Sequence, residues 1–188
     1  MLGAFLPSFF LALGTLTILG AAVPGTILAL RLTARWAYIF FWLAYAGGAL
    51  ATLFGARLVP LARRGRELGL AFAAAMLPHA ALVAWIYHIS QKPPASRATL
   101  VYFGIGLVFV FLLALLSVRR VGARLPPAFS RGLRLVGTEY IALAFLRDFL
   151  HVPAHAGPLQ WLAYLPFIAL AGAAALLRLG QWSVRTRA

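Results

Sequence analysis

Five stretches of this chain contain no aspartate, glutamate, lysine or arginine: residues 1–30, 36–56, 68–91, 98–118 and 149–177. Each reaches or exceeds the ~20 residues that an α-helix needs to cross a hydrocarbon core of about 30 Å. A sixth segment, residues 135–152, is as apolar in outline but carries Glu139, Arg147, Asp148 and His151. A soluble domain of this length would need a far more polar surface than a chain that is 63% apolar, with only three acidic residues, can supply. The expectation is an all-α integral membrane protein, a single transmembrane domain over residues 1–188 folded as a six-transmembrane-helix bundle. Its spans fall at about 6–30, 36–56, 68–90, 98–118, 135–152 and 158–178.

The net charge of +14 is arranged by topology. Twelve arginines flank one side: Arg57, Arg63, Arg64 and Arg66 after the second span, Arg119, Arg120, Arg124, Arg131 and Arg134 after the fourth, and Arg178, Arg185 and Arg187 at the end. The other side receives four cations, Arg31, Arg35, Lys92 and Arg97, while Arg147 lies inside a span. This positive-inside bias puts both termini in the cytoplasm. A nucleic-acid binder would instead gather its charge on a soluble, aromatic-studded face, so no nucleic-acid partner is expected.

With no cysteine there is no disulfide framework, thiol nucleophile, iron–sulfur cluster or thiolate zinc site. The first apolar run is too long and too poorly flanked for a cleavable signal peptide and is expected to be retained. Residues 119–134, broken by Pro126 and Pro127, form a basic loop suited to lying along the headgroups, and residues 151–158 form a tight outer connection. Ala46, Gly47, Gly48, Ala51 and Ala73 to Ala75 are placed for close helix packing in lipid. The five tryptophans mostly fall near span ends, with Trp42 deeper.

Ionisable groups inside a bilayer are rare and usually mark function, which singles out His79 and His151. Pro78 removes a backbone hydrogen bond and bends the helix beside His79, opening space at the imidazole. His79 lies thirteen residues beyond Arg66 and His151 seventeen beyond Arg134, depths that differ by about 6 Å at the helical rise. Two neutral imidazoles on neighbouring helices suit the axial positions of a haem iron; the plainer alternative is a pair of interhelical hydrogen bonds. His88 and His155 read as outer-surface residues. His151 and His155 are four apart, but Pro153 is expected to break the helix between them, and no thiolate or carboxylate completes a zinc site.

Arg147 and Asp148 are adjacent and therefore point to different helix faces. Arg147, one turn before His151, is a candidate anchor for a haem propionate, and Asp148 a candidate partner for a histidine's second nitrogen. The alternative is a snorkelling arginine beside a solvated aspartate. Glu139 reads as an interfacial charge.

The stretch Val59 to His79, VPLARRGRELGLAFAAAMLPH, resembles the ferric-reductase-like transmembrane family, and in particular its short bacterial branch, the haem-binding membrane subunit of a periplasmic methionine sulfoxide reductase system. The resemblance rests on Pro60-Leu61, the arginines up to Arg66, Leu68-Gly69-Leu70 and a histidine ten residues after Gly69; it implies a haem-ligand role for His79. The fifth span, ending in His151, resembles the family's other ligand helix. That branch carries a further histidine thirteen residues before this position, where the present chain has Thr138, so the resemblance implies one haem rather than two.

The resulting expectation is a multi-pass protein of a bacterial inner (cytoplasmic) membrane that holds haem b between His79 and His151 and carries electrons toward the periplasmic face. No glycine-rich nucleotide loop is present, so electrons would come from quinol or a separate cytoplasmic flavoprotein. They would leave to a periplasmic protein or metal near His88 and His155. The alternative from a different class is a non-redox scaffold subunit of a membrane complex. A transporter has little support without paired carboxylates or an inverted repeat.

Overall fold

The computed structural model describes residues 1–122, 124–154 and 158–185; these are overwhelmingly helical, with no strand among them. The helices are α1 (Leu2–Leu19), α2 (Val23–Phe54), α3 (Val59–Arg63), α4 (Gly65–Ile89), α5 (Arg97–Ser117), α6 (Arg119–Gly122), α7 (Pro127–Ala154) and α8 (Pro158–Arg185). Five of them, α1, α2, α4, α5 and α8, are long and apolar enough to cross a membrane. The length of α7 matches theirs, but it carries Arg131, Arg134, Glu139, Arg147 and Asp148.

Helices α2, α4, α5, α7 and α8 close a ring, each packed on the next and α8 returning to α2, while α1 lies against both α2 and α4. The ring's interior is aromatic. Tyr38 and Phe41 from α2, Phe72 from α4, Phe145 and Phe149 from α7 and Phe167 from α8 make successive contacts, with ring centroids 4.7–6.2 Å apart.

Lipid tails are as apolar as leucine, so helices associate through close packing and interhelical hydrogen bonds rather than a hydrophobic drive. Both devices are present. Ala29, Ala37, Ala46 and Ala75 are completely buried, and Gly47 and Ala73 to Ala75 lie at contacts as their small size suggests, whereas Gly48 is exposed. Polar side chains bond to backbone carbonyls across the seams: Trp36 to Ala4, Ser8 to Ala75, Trp42 to Leu170 and Tyr140 to Tyr102, at 2.7–3.0 Å. Large apolar side chains such as Ile18, Leu162 and Leu176 stay on the outside, where lipid would cover them.

Three sequence expectations are corrected. The first connection lies at residues 20–22, not at Arg31–Arg35, and both arginines are inside the 32-residue α2. Gly20 adopts φ +82, a left-handed conformation that glycine takes without strain, and Pro24 occupies the first turn of α2, where its missing N–H costs nothing. A Cβ on Gly25 would fall 2.2 Å from the Gly20 carbonyl oxygen, so the turn is this tight only because both residues are glycine. Second, residues 119–134 are not one long loop: α6 takes their start, and α7 begins at Pro127, again a proline at a helix start. Third, Pro153 does not end the helix at His151; α7 continues to Ala154.

Candidate functional site

His79 lies on a stripe of α4, Phe72, Ala75, His79, Leu82 and Ile86, whose 3–4 spacing puts it on one helix face. Pro78 sits within α4, and α1 docks here, the Ser8 hydroxyl donating to the Ala75 carbonyl at 2.8 Å. The imidazole meets α2, with Nδ1 3.1 Å from the Thr33 hydroxyl oxygen. That hydroxyl has a single proton, and the carbonyls of Ala29 and Leu30 lie 2.9 and 3.1 Å away on its own helix, placed to accept it. With that proton committed to its own helix, Thr33 is placed to accept from an Nδ1–H of His79, the tautomer in which Nε2 carries the lone pair. The Leu30 carbonyl is a further acceptor for the ring. A histidine held through one nitrogen by a neighbouring oxygen, with the other left basic, is the arrangement of metal-ligating histidines generally.

The remaining sequence candidates gather at the far end of α7. Arg147 faces α5, its guanidinium 4.4 Å from the Tyr102 ring centre and 6.0 Å from that of Phe103. Asp148 faces the other way, toward Arg31 and Arg35 of α2, with His151 beside it. Arg35 covers the Tyr164 ring at 4.2 Å, and its Nε is a buried donor with no partner among the described residues. His151 itself is exposed in the last turn of α7. This arginine–aspartate–tyrosine cluster escaped the sequence reading because Arg31 and Arg35 were assigned to a loop; their four-residue spacing was the available signal, since it places both on one helix face.

His79 and Asp148 both address the stretch of α2 from Arg31 to Arg35. At about 100° per residue, Arg31 and Arg35 lie roughly 160° around α2 from Thr33. His79 meets the Thr33 face of α2, and Asp148 interacts with the arginines of the opposite one. Among the described residues, no three His, Cys, Asp or Glu side chains are grouped to hold a metal ion. A cavity of about 210 Å³ opens at the arginine-rich end between α2, α4, α5 and α7, with no histidine in its lining. It is smaller than the ~300–1,000 Å³ usual for drug-sized ligands.

His88 is exposed, its ring 5.8 Å from that of Trp85, and His155 lies outside the described residues. Thr138 bonds back to the Arg134 carbonyl of its own helix at 2.7 Å. Glu139 departs furthest from its sequence reading. Its carboxylate accepts from the Tyr45 hydroxyl at 2.6 Å and pairs with Arg178, which in turn lies 4.7 Å from the Tyr45 ring centre. It ties α2, α7 and α8 together.

For haem, the donor chemistry of the resemblance fits at His79, whose imidazole is held through Nδ1, while the ring interior is filled by Phe72, Phe145 and Phe149. Comparison with protein-family models, with curated proteins and with solved structures finds no match to this chain.

Proposed function

We propose that the chain is a six-span protein of a bacterial inner membrane, both termini cytoplasmic, that holds one haem b through His79 and passes electrons toward the periplasmic face. With α2 continuous through Arg31 and Arg35, the outer connections retain only Lys92 and Arg97 against twelve arginines on the other side, which supports this orientation. The observation that carries the haem reading is the contact of His79 Nδ1 with the Thr33 hydroxyl: it orients an imidazole deep in an apolar helix, and with the proton on Nδ1 the ring would offer Nε2 as a ligand. A bound haem would supply one-electron chemistry there. The chain's own residues hold and orient the imidazole. His151 is the proposed second ligand, and reaching one iron with His79 requires the aromatic filling around Phe149 to open. Quinol or a separate flavoprotein is the proposed donor, and a periplasmic protein or metal the acceptor.

That aromatic filling also favours a second reading, a haem-free scaffold subunit in which His79 serves only to join α4 to α2. A reduced-minus-oxidised absorption spectrum of detergent-purified chain decides between them. A low-spin b-type spectrum, lost in His79→Ala and in His151→Ala, is the expected result. Haem retained in His151→Ala but lost in His79→Ala would assign the second ligand elsewhere. Chain purified without haem, despite ample supply during expression, would overturn the electron-transfer reading and leave the scaffold.

A further inference from the structure

The cavity between the basic ends of α2, α4, α5 and α7 has an uneven lining. Phe41 and Phe72 form an apolar floor, while Arg66 and Arg134 stand in its wall together with the Thr138 hydroxyl. Both arginines are positioned by the same feature, the C-terminus of α5. The last carbonyls of a helix lack intrahelical partners, and here Arg66 Nε donates to that of Ser117 at 2.6 Å and Arg134 Nη2 to that of Leu116 at 3.0 Å. Each arginine has five N–H donors in a planar fork and commits one nitrogen to this anchor, so two oriented cationic forks converge on one opening. No carboxylate is in the lining; the nearby Glu139 is engaged by Tyr45 and Arg178.

We propose that this cavity is a site for the phosphate headgroup of an anionic membrane lipid, with Arg66 and Arg134 as its donors and the start of the lipid's apolar part against Phe41 and Phe72. The location favours a lipid, since a basic pocket between helices at the arginine-rich face is where anionic headgroups collect. Size agrees as well. The cavity of about 210 Å³ has room for several waters, and so for a phosphate and its ester linkage. The site stands on membrane insertion alone and is independent of whether haem binds.

Native mass spectrometry of the purified full chain in mixed micelles tests it, with phosphatidylglycerol, phosphatidylcholine and inorganic phosphate as separate probes. One retained phosphatidylglycerol per chain is expected. Its affinity should fall about 30-fold in the Arg66→Gln/Arg134→Gln double variant, from the contribution of two cations near a membrane surface. The control, Arg63→Gln/Arg64→Gln, removes the same charge from exposed positions outside the lining and should keep the lipid. Gly69→Met fills the space from within. A Cβ there meets nothing within 4 Å, so the helix accommodates the side chain, and the lipid should be lost without any change in charge. Equal retention of phosphatidylcholine, equal loss in the control, or undiminished binding in Gly69→Met would each overturn the site. Displacement of the lipid by millimolar inorganic phosphate would overturn the lipid assignment in favour of a free anion.

Discussion

Glu139 offers the sharpest test of how this bundle is held together. Truncating it to alanine removes the Tyr45 hydrogen bond and the Arg178 ion pair at once. A hydrogen bond to a charged group contributes about 1.5–3 kcal/mol. The ion pair adds less, because the side chains of Arg178 and Glu139 remain 32% and 42% exposed, and solvent-screened pairs contribute about 0.2–1 kcal/mol. Part of the loss is recovered, since Arg178 keeps its contact with the Tyr45 ring and can extend to the interface. The net expectation for Glu139→Ala is therefore a destabilisation of about 2 kcal/mol, or roughly 4–8 °C in Tm for a chain of this length. Fluorescence-detected size exclusion after heating in detergent reads it directly. Tyr45→Phe should reproduce most of the loss, and the double variant should fall short of the sum, because both changes remove one bond. Additive losses, or a Glu139→Ala protein that melts within 1 °C of the parent, would refute the idea that this carboxylate joins three helices.

Two other perturbations test separate features. Gly25→Ala places a methyl group 2.2 Å from the Gly20 carbonyl oxygen, a clash with backbone that no rotamer relieves; it should lower Tm by several degrees, whereas Gly14→Ala, which has open space, should not. Thr33→Val removes the hydroxyl that meets the buried His79 Nδ1 and should cost about 1–3 kcal/mol in the same heating assay, while Thr33→Ser should restore most of it; equal stability of the two variants would refute this hydrogen bond as a link between α2 and α4.

Much of the bundle was legible in the chain because the bilayer imposes a single length scale. The third and fourth spans were read within a few residues of α4 and α5, since charged residues bound each apolar run. The first boundary was misread for the complementary reason. Residues 1–30 contain no charge to mark where α1 ends, and the arginines at 31 and 35 drew the break to themselves. The true punctuation was conformational, with Gly20, Pro24 and Gly25 spaced for a turn. Hydropathy marks it only weakly, because transmembrane helices tolerate glycine and proline.

The same misplacement explains what was missed at the candidate site. With Arg31 and Arg35 in a loop, Asp148 had no partner nearer than a histidine, and Arg147 was free to be assigned to a ligand. Inside α2 the two arginines present one face to Asp148 and Tyr164, and the intervening Thr33 presents the opposite face to His79. A helix that is apolar along most of its length thus carries two polar surfaces at one depth, each matched by a neighbour. Cations so near a hydrocarbon core persist only when aromatic faces and a carboxylate surround them, which Tyr164, Phe167 and Asp148 do here. Spacing alone cannot reveal such pairing, because it depends on which way α7 and α8 turn their faces. Depth along a span was readable from the sequence; azimuth around α2 was not, and azimuth separates His79 from Asp148.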